Sequence, residues 1–194
     1  RLTGYVDAGT DYKMDETDAA LVSASPVFLA ATDTAVTVKS DFTVSTANDV
    51  SWASSDESVV SIDGDNATVE DDGSTTLTAS LRGVAKSVSL TVDMTPPILQ
   101  NTVCDSDTQI TVTLSEPCLN LAKENDGGFT VTKTGTVETF AVSGTAQGDD
   151  ASHVILTVAD MKAAKAKGVT VTYTAGDNGT ITDIAGNPLV TNSI

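Results

Sequence analysis

Thr76-Leu77-Thr78-Ala79-Ser80-Leu81, followed a few residues later by Val88-Ser89-Leu90-Thr91-Val92, decides the fold of this chain. In both runs every second residue is apolar and its neighbours are Ser or Thr. A period of two places one set of side chains on one face, so each run reads as a half-buried strand. Working outward, the same alternation appears in Ala35-Val36-Thr37-Val38, Val50-Ser51-Trp52, Val59-Val60-Ser61-Ile62 and Ala67-Thr68-Val69. These runs fall within about 65 residues and are separated by clusters of Asp, Gly, Asn and Ser, the spacing of a sandwich. Asp63-Gly64-Asp65-Asn66 has the chemistry to close a hairpin between two of them, because Gly and Asn tolerate positive φ.

After Val92 comes Asp93-Met94-Thr95-Pro96-Pro97, where two consecutive prolines disfavour helix and cannot donate to a sheet ladder. It reads as a short, stiff linker. Beyond it a second strand series runs through 98–103, 109–114, 128–132, 136–142, 154–158 and 169–173, closing near Leu189-Val190. One stretch breaks the pattern. Residues 159–168 (ADMKAAKAKG) are rich in helix formers and end in Lys and Gly, which predicts one short surface helix between two strands. The first 25 residues are the least patterned and are expected to be an arm, a linker or an extra strand. Asp105-Ser106-Asp107-Thr108 reads as a hairpin turn, which places Cys104 and Cys118 roughly 30 Å apart along paired strands. A disulfide needs Cα atoms within about 7 Å, so these two are not expected to bridge.

Composition narrows the function. The chain has 194 residues, of which 27 are acidic and 10 basic, for a net charge of −17. Such a field repels a phosphate backbone, so nucleic acid is excluded as an expected partner. No apolar stretch reaches the roughly 18 residues needed to span a bilayer, and the opening Arg1-Leu2-Thr3-Gly4-Tyr5 lacks the apolar core of a signal peptide, as in a processed or excised fragment. His153 is the only histidine and no Gly-x-Ser-x-Gly elbow is present, so a Ser-His-Asp triad is not expected. One His and two Cys offer too few ligands for zinc. Acidic residues concentrate in turns and only 4% of the chain is aromatic, which argues against a paired-carboxylate glycosidase and against aromatic sugar platforms. Trp52 is expected in a core, and the chain is expected not to be an enzyme.

Trp52-Ala53-Ser54-Ser55-Asp56-Glu57-Ser58-Val59-Val60-Ser61-Ile62, then Gly73-Ser74-Thr75-Thr76-Leu77-Thr78-Ala79 and a closing Val88–Val92 strand, resembles the bacterial Ig-like group 2 domain. Pro96-Pro97, Ser115-Glu116-Pro117 and Asp183-Ile184-Ala185-Gly186-Asn187 resemble a second bacterial Ig-like module, of the kind found in repeat and S-layer proteins. The longer connection at 159–168 and the two cysteines depart from that pattern. The expected fold is therefore all-β: two tandem immunoglobulin-like β-sandwiches over 26–93 and 94–194, with one short helix in the second. The resemblance implies scaffolding, since such modules serve as spacers or binding units in adhesins, S-layers, cell-wall enzymes and phage structural proteins.

The expected function is an extracellular structural module of a surface, S-layer or filament protein. Its expected partners are neighbouring copies or domains in a head-to-tail array, and its place is extracellular or at the cell surface. The alternatives are a carbohydrate- or receptor-binding adhesin module, with a glycan or host receptor as partner, and an accessory domain of a larger cell-surface enzyme. Calcium is the one cofactor that the acidic loops suggest, with Asp63, Asp65, Asp71, Asp72 and Asp93 as candidate ligands. Turn-forming Asp is the competing explanation for each. Lys39 and Lys133 are candidates for a Lys–Asn or Lys–Asp cross-link if buried. Asn66-Ala67-Thr68 and Asn178-Gly179-Thr180 match the N-glycosylation acceptor pattern.

Overall fold

The computed structural model describes residues 21–23, 35–44, 50–162, 168–176 and 180–194. The chain divides into two compact units, Arg1–Met94 and Thr95–Ile194. Among the described residues every regular element is a strand.

The first unit contains β1 (Leu21–Ser23), β2 (Ala35–Val38), β3 (Phe42–Val44), β4 (Ser51–Ser54), β5 (Val60–Asp63), β6 (Asn66–Val69), β7 (Gly73–Leu81) and β8 (Val84–Val92). They form two four-stranded sheets, ordered β1-β3-β6-β5 and β2-β8-β7-β4. If β1 and β2 are the two halves of strand A and β3 to β8 are B to G, the sheets read A-B-E-D and A′-G-F-C. That division defines an immunoglobulin-type sandwich. The long hairpin β7–β8 pairs over its whole length, from Gly73↔Val92 to Leu81↔Val84. It turns at Arg82 (φ 49°) and Gly83 (φ 85°), the double positive φ that matches the twist of a two-residue hairpin. Alternation sends Leu77 and Leu90 inward, where both are fully buried with Val60, Phe42 and Val44. Burying a Leu of this kind contributes about 1.5–3 kcal/mol. Trp52 packs, partly buried, against this core. Asp63 faces Asn66 across a two-residue turn with Gly64 (φ 63°) at its first position, so the expected hairpin is present.

The second unit contains β9 (Leu99–Cys104), β10 (Gln109–Leu114), β11 (Cys118–Leu119), β12 (Phe129–Lys133), β13 (Thr139–Phe140), β14 (Val142–Gln147), β15 (His153–Val158), β16 (Val169–Tyr173), β17 (Thr182–Asp183) and β18 (Asn192–Ser193). One sheet is ordered β14-β15-β10-β9 and the other β13-β12-β16-β18, with β11 and β17 as a separate small ladder. Lettered in the same way, these are D-E-B-A and C′-C-F-G. Both sheets contribute to one core, which includes Ile110, Val112 and Leu156 from the first and Phe129, Val131 and Tyr173 from the second. Phe129 and Tyr173 are register partners with ring centroids 5.1 Å apart and tilted by 55°, a favourable aromatic arrangement.

Several expectations change. The run expected over 136–142 is two strands, because the chain crosses from one sheet to the other between Phe140 and Val142. The short helix is not seen: Ala159–Lys162 are non-helical, and 163–167 lie outside the described residues. Tertiary contacts explain the described part. Met161 is fully buried in the core and its N–H donates to the Asp107 carbonyl, while the Asp160 carboxylate accepts the Lys162 N–H in a local turn. Of the arm over 1–25, the described Leu21–Ser23 is β1, paired antiparallel with β3 of its own unit.

Candidate functional site

The candidate calcium ligands occupy separate places in the first unit. Asp63 and Asp65 are exposed at the β5–β6 hairpin tip. Asp71 and Asp72 lie in the loop between β6 and β7, where Asp71 Oδ1 accepts the Asp72 N–H at 2.8 Å and Asp72 Oδ1 accepts the Met94 N–H. Asp93 follows β8, half-buried, and its N–H donates to the Val38 carbonyl at 2.9 Å. No three of these five place their ligand oxygens within 4.8 Å of one another. A local turn bond is made by Asp71, and equally by Asp56, which no ligand argument had singled out, whereas the Asp72 carboxylate ties its loop to the end of the first unit at Met94. Asp56 Oδ1 accepts from the Ser58 hydroxyl at 2.6 Å and the Ser58 N–H at 3.0 Å, and these bonds hold its carboxyl below the usual range.

The other residues of chemical interest are likewise engaged. His153 Nδ1 lies 2.8 Å from Asp150 Oδ1, which also accepts the Ser152 N–H. The His153 contact first, and then the Ser152 N–H, hold the Asp150 carboxyl down. Lys133 bonds Glu138 at 2.9 Å across the β12–β13 hairpin, and Lys39 is exposed, so neither lysine has the burial that a cross-link would need. Cys104 and Cys118 form no disulfide, with the β9–β10 hairpin where expected. Burial first, then the charges of Glu116 and Asp183, push the Cys118 thiol up to about 12, so it stays protonated and unreactive at neutral pH. Asn178-Gly179 lies outside the described residues.

The most constrained polar group is one that the sequence offered only as a closing motif. Asp183 is 1% exposed. Its Oδ1 accepts the Asn187 N–H at 2.7 Å and its Oδ2 accepts from Asn187 Nδ2 at 2.8 Å. The backbone closes the same loop, with the Asp183 N–H bonded to the Asn187 carbonyl at 3.0 Å and the Gly186 N–H to the Asp183 carbonyl at 3.3 Å. Gly186 supplies the positive φ (86°) that the turn requires. Elsewhere, buried Thr75 Oγ1 meets Ser54 and Ser55 hydroxyls and accepts the Asp56 N–H, and buried Thr145 Oγ1 donates to the Leu121 carbonyl. Each of these buried polar side chains ties a loop to a strand.

Four well-exposed apolar side chains, Ile98, Leu119, Ile184 and Val190, lie on segments of the second unit that are bonded to one another or adjacent. Ile98 and Ser115 exchange hydrogen bonds, Val190 N–H donates to the Pro97 carbonyl, and Cys118-Leu119 pairs with Thr182-Asp183. No helix among the described residues is long and apolar enough to cross a membrane.

No protein-family model matches the chain, and no curated protein matches it. Among solved structures it is similar to the N-terminal part of the bacterial S-layer protein SbsC, at 18% identity and a TM-score of 0.41, over 51% of this chain and 22% of that one. It is also similar to SbsC domains 4 and 5, at 17% identity and 0.38, over 88% and 96%. A titin fragment matches at 15% identity and 0.35, over 91% and 65%. The chain thus spans about a fifth of the first of these. Likenesses this loose carry no function, and the immunoglobulin-type assignment rests on the strand orders above.

Proposed function

We propose that this chain is a load-bearing structural module, two tandem immunoglobulin-like sandwiches of an extracellular surface, S-layer or filament protein, and not an enzyme. The observation that carries this reading is the pairing of β2 with β8. An early strand of the first unit runs parallel to the last one, from Ala35↔Ser89 to Val38↔Val92, and the Asp93 N–H extends the ladder to Val38. Tension applied along the chain through Val92 pulls these strands past each other, so the ladder bonds are loaded in shear and share the force. The loop-to-strand bonds of buried Thr75, Thr145 and Asp183 support the same reading. The exposed apolar side chains Ile98, Leu119, Ile184 and Val190, on bonded or adjacent segments of the second unit, favour an additional role in contacts with neighbouring domains or copies. Calcium belongs to this proposal only as a weak stiffener of single loops, such as the Asp63 and Asp65 tip, since the five candidate carboxylates do not converge on one site.

Single-molecule pulling tests the reading. The chain is expected to yield two separate unfolding events, the one from the 100-residue Thr95–Ile194 unit releasing roughly 30 nm at about 3.3–3.6 Å per residue. The first-unit event is expected at higher force in calcium than in chelator. Featureless extension would remove the load-bearing reading, and forces identical in calcium and chelator would remove calcium from it.

A further inference from the structure

We infer that Asn66 is an N-linked glycan acceptor, so that the β5–β6 hairpin tip of the first unit is a glycosylation site. The inference is independent of the load-bearing role. Asn66-Ala67-Thr68 opens β6 directly after the turn at Gly64-Asp65. Along the strand Asn66 is exposed, Ala67 is 1% exposed and Thr68 is exposed. The period of two therefore turns the acceptor amide and the recognition hydroxyl outward together while Ala67 anchors the segment in the core. Neither side chain is engaged by a hydrogen bond among the described residues. Their neighbours differ: Ser58 is bonded to Asp56 and Ser61 to Glu70 at 2.6 Å. An Asn at a turn-to-strand boundary often spends its amide on the local backbone. Here the tight turn is made by Gly64, and the amide is left accessible.

The donor is a lipid-pyrophosphate-linked oligosaccharide and the catalyst an oligosaccharyltransferase that reads Asn-x-Thr. The Asn66 amide nitrogen attacks the anomeric carbon, forming the C–N bond as the C–O bond to pyrophosphate breaks. The lipid pyrophosphate leaves with the electron pair, and the amide proton passes to a carboxylate of the transferase. A glycan on an outward side chain displaces no core atom, so the folded sandwich accommodates the product.

The test is secretion of the full chain from a host that carries this transferase and lipid-linked donor, followed by peptide mapping. The Asn66 peptide is expected to carry glycan, to lose it in Asn66→Gln and Thr68→Ala, and to keep it in Thr68→Ser. Secreted wild-type protein whose Asn66 peptide is unmodified would overturn the inference, including the case in which only Asn178 is occupied. Because the modified side chain faces outward, Asn66→Gln is expected to melt with the wild type. A large drop in melting temperature would show that Asn66 is committed to the fold and would count against its role as an open acceptor.

Discussion

Gly128→Ala is expected to destabilise the second unit by roughly 2–6 kcal/mol, the sum of a strained backbone and an overpacked neighbour. Gly128 holds φ 86°, where a side chain is disfavoured. A Cβ there would meet the Thr174 carbonyl oxygen at 2.6 Å and the Tyr173 ring at 3.1 Å. Neither can yield cheaply. The Thr174 N–H donates to the Gly128 carbonyl at 2.9 Å, and Tyr173 is fully buried against Phe129. With domains of this size stable by about 5–15 kcal/mol, the variant loses a large share of its margin. Gly135→Ala is the control. Its φ is 75°, but a Cβ would find nothing within 4 Å, so only the backbone cost of about 1–3 kcal/mol applies. Urea titration followed by far-UV circular dichroism separates the two, while fluorescence of Trp52, the single tryptophan, reports the first unit. Equal losses for the two variants would show that the close approach at Gly128 is not what matters there.

The contrast between these glycines shows what a sequence can and cannot disclose here. Strand pairs with long, regular alternation were legible: the inward set Thr75, Leu77, Ala79 and Leu81 of β7 is buried throughout, because a period of two needs no tertiary information to be read. The Asp63–Asn66 hairpin was legible for the same local reason. Short pieces were not. β3 is only Phe-Thr-Val, too short to show a period, although Phe42 and Val44 are core residues. β14 carries Gly144 and a register shift between Val142 and Gly144, which breaks alternation where the chain has just changed sheets. β11 and β17 are two-residue ladders that exist because distant segments meet. Residues 159–162 have helical composition, but burial of Met161 and its bond to Asp107 overrode local propensity. For the acidic candidates, sequence could count carboxylates but not say which backbone N–H each would accept. Asp183 was legible only as the start of a closing Asp-x-x-Gly-Asn motif, which does not disclose that its carboxyl is buried and bonded twice by Asn187.

Asp183→Ala is expected to cost about 3–5 kcal/mol, since it removes both hydrogen bonds that Asn187 donates to a buried carboxyl and each such bond contributes roughly 1.5–3 kcal/mol. The loss should also reach past the loop. β17 carries Asp183 in register with Cys118, and the Asn187 region leads into Leu189, which is buried and bonded to the Ile181 carbonyl. Asp183→Asn is a sharper probe than alanine. Its amide keeps one acceptor for the Asn187 main chain but turns an NH2 group toward Asn187 Nδ2, so one bond survives and one becomes a donor–donor contact. An intermediate loss is expected. Asn187→Ala removes only the side-chain donor, leaving the 2.7 Å main-chain bond in place, and should cost less than Asp183→Ala. If the two side chains act as one lock, the double alanine variant will be less destabilised than the sum of the singles, with a coupling of about 0.5–3 kcal/mol. Strict additivity in denaturant titrations would mean that the Asp183 carboxylate is held by something other than Asn187. A wild-type melting curve for Asp183→Ala would show that the closing Asp-x-x-Gly-Asn loop carries no stability at all.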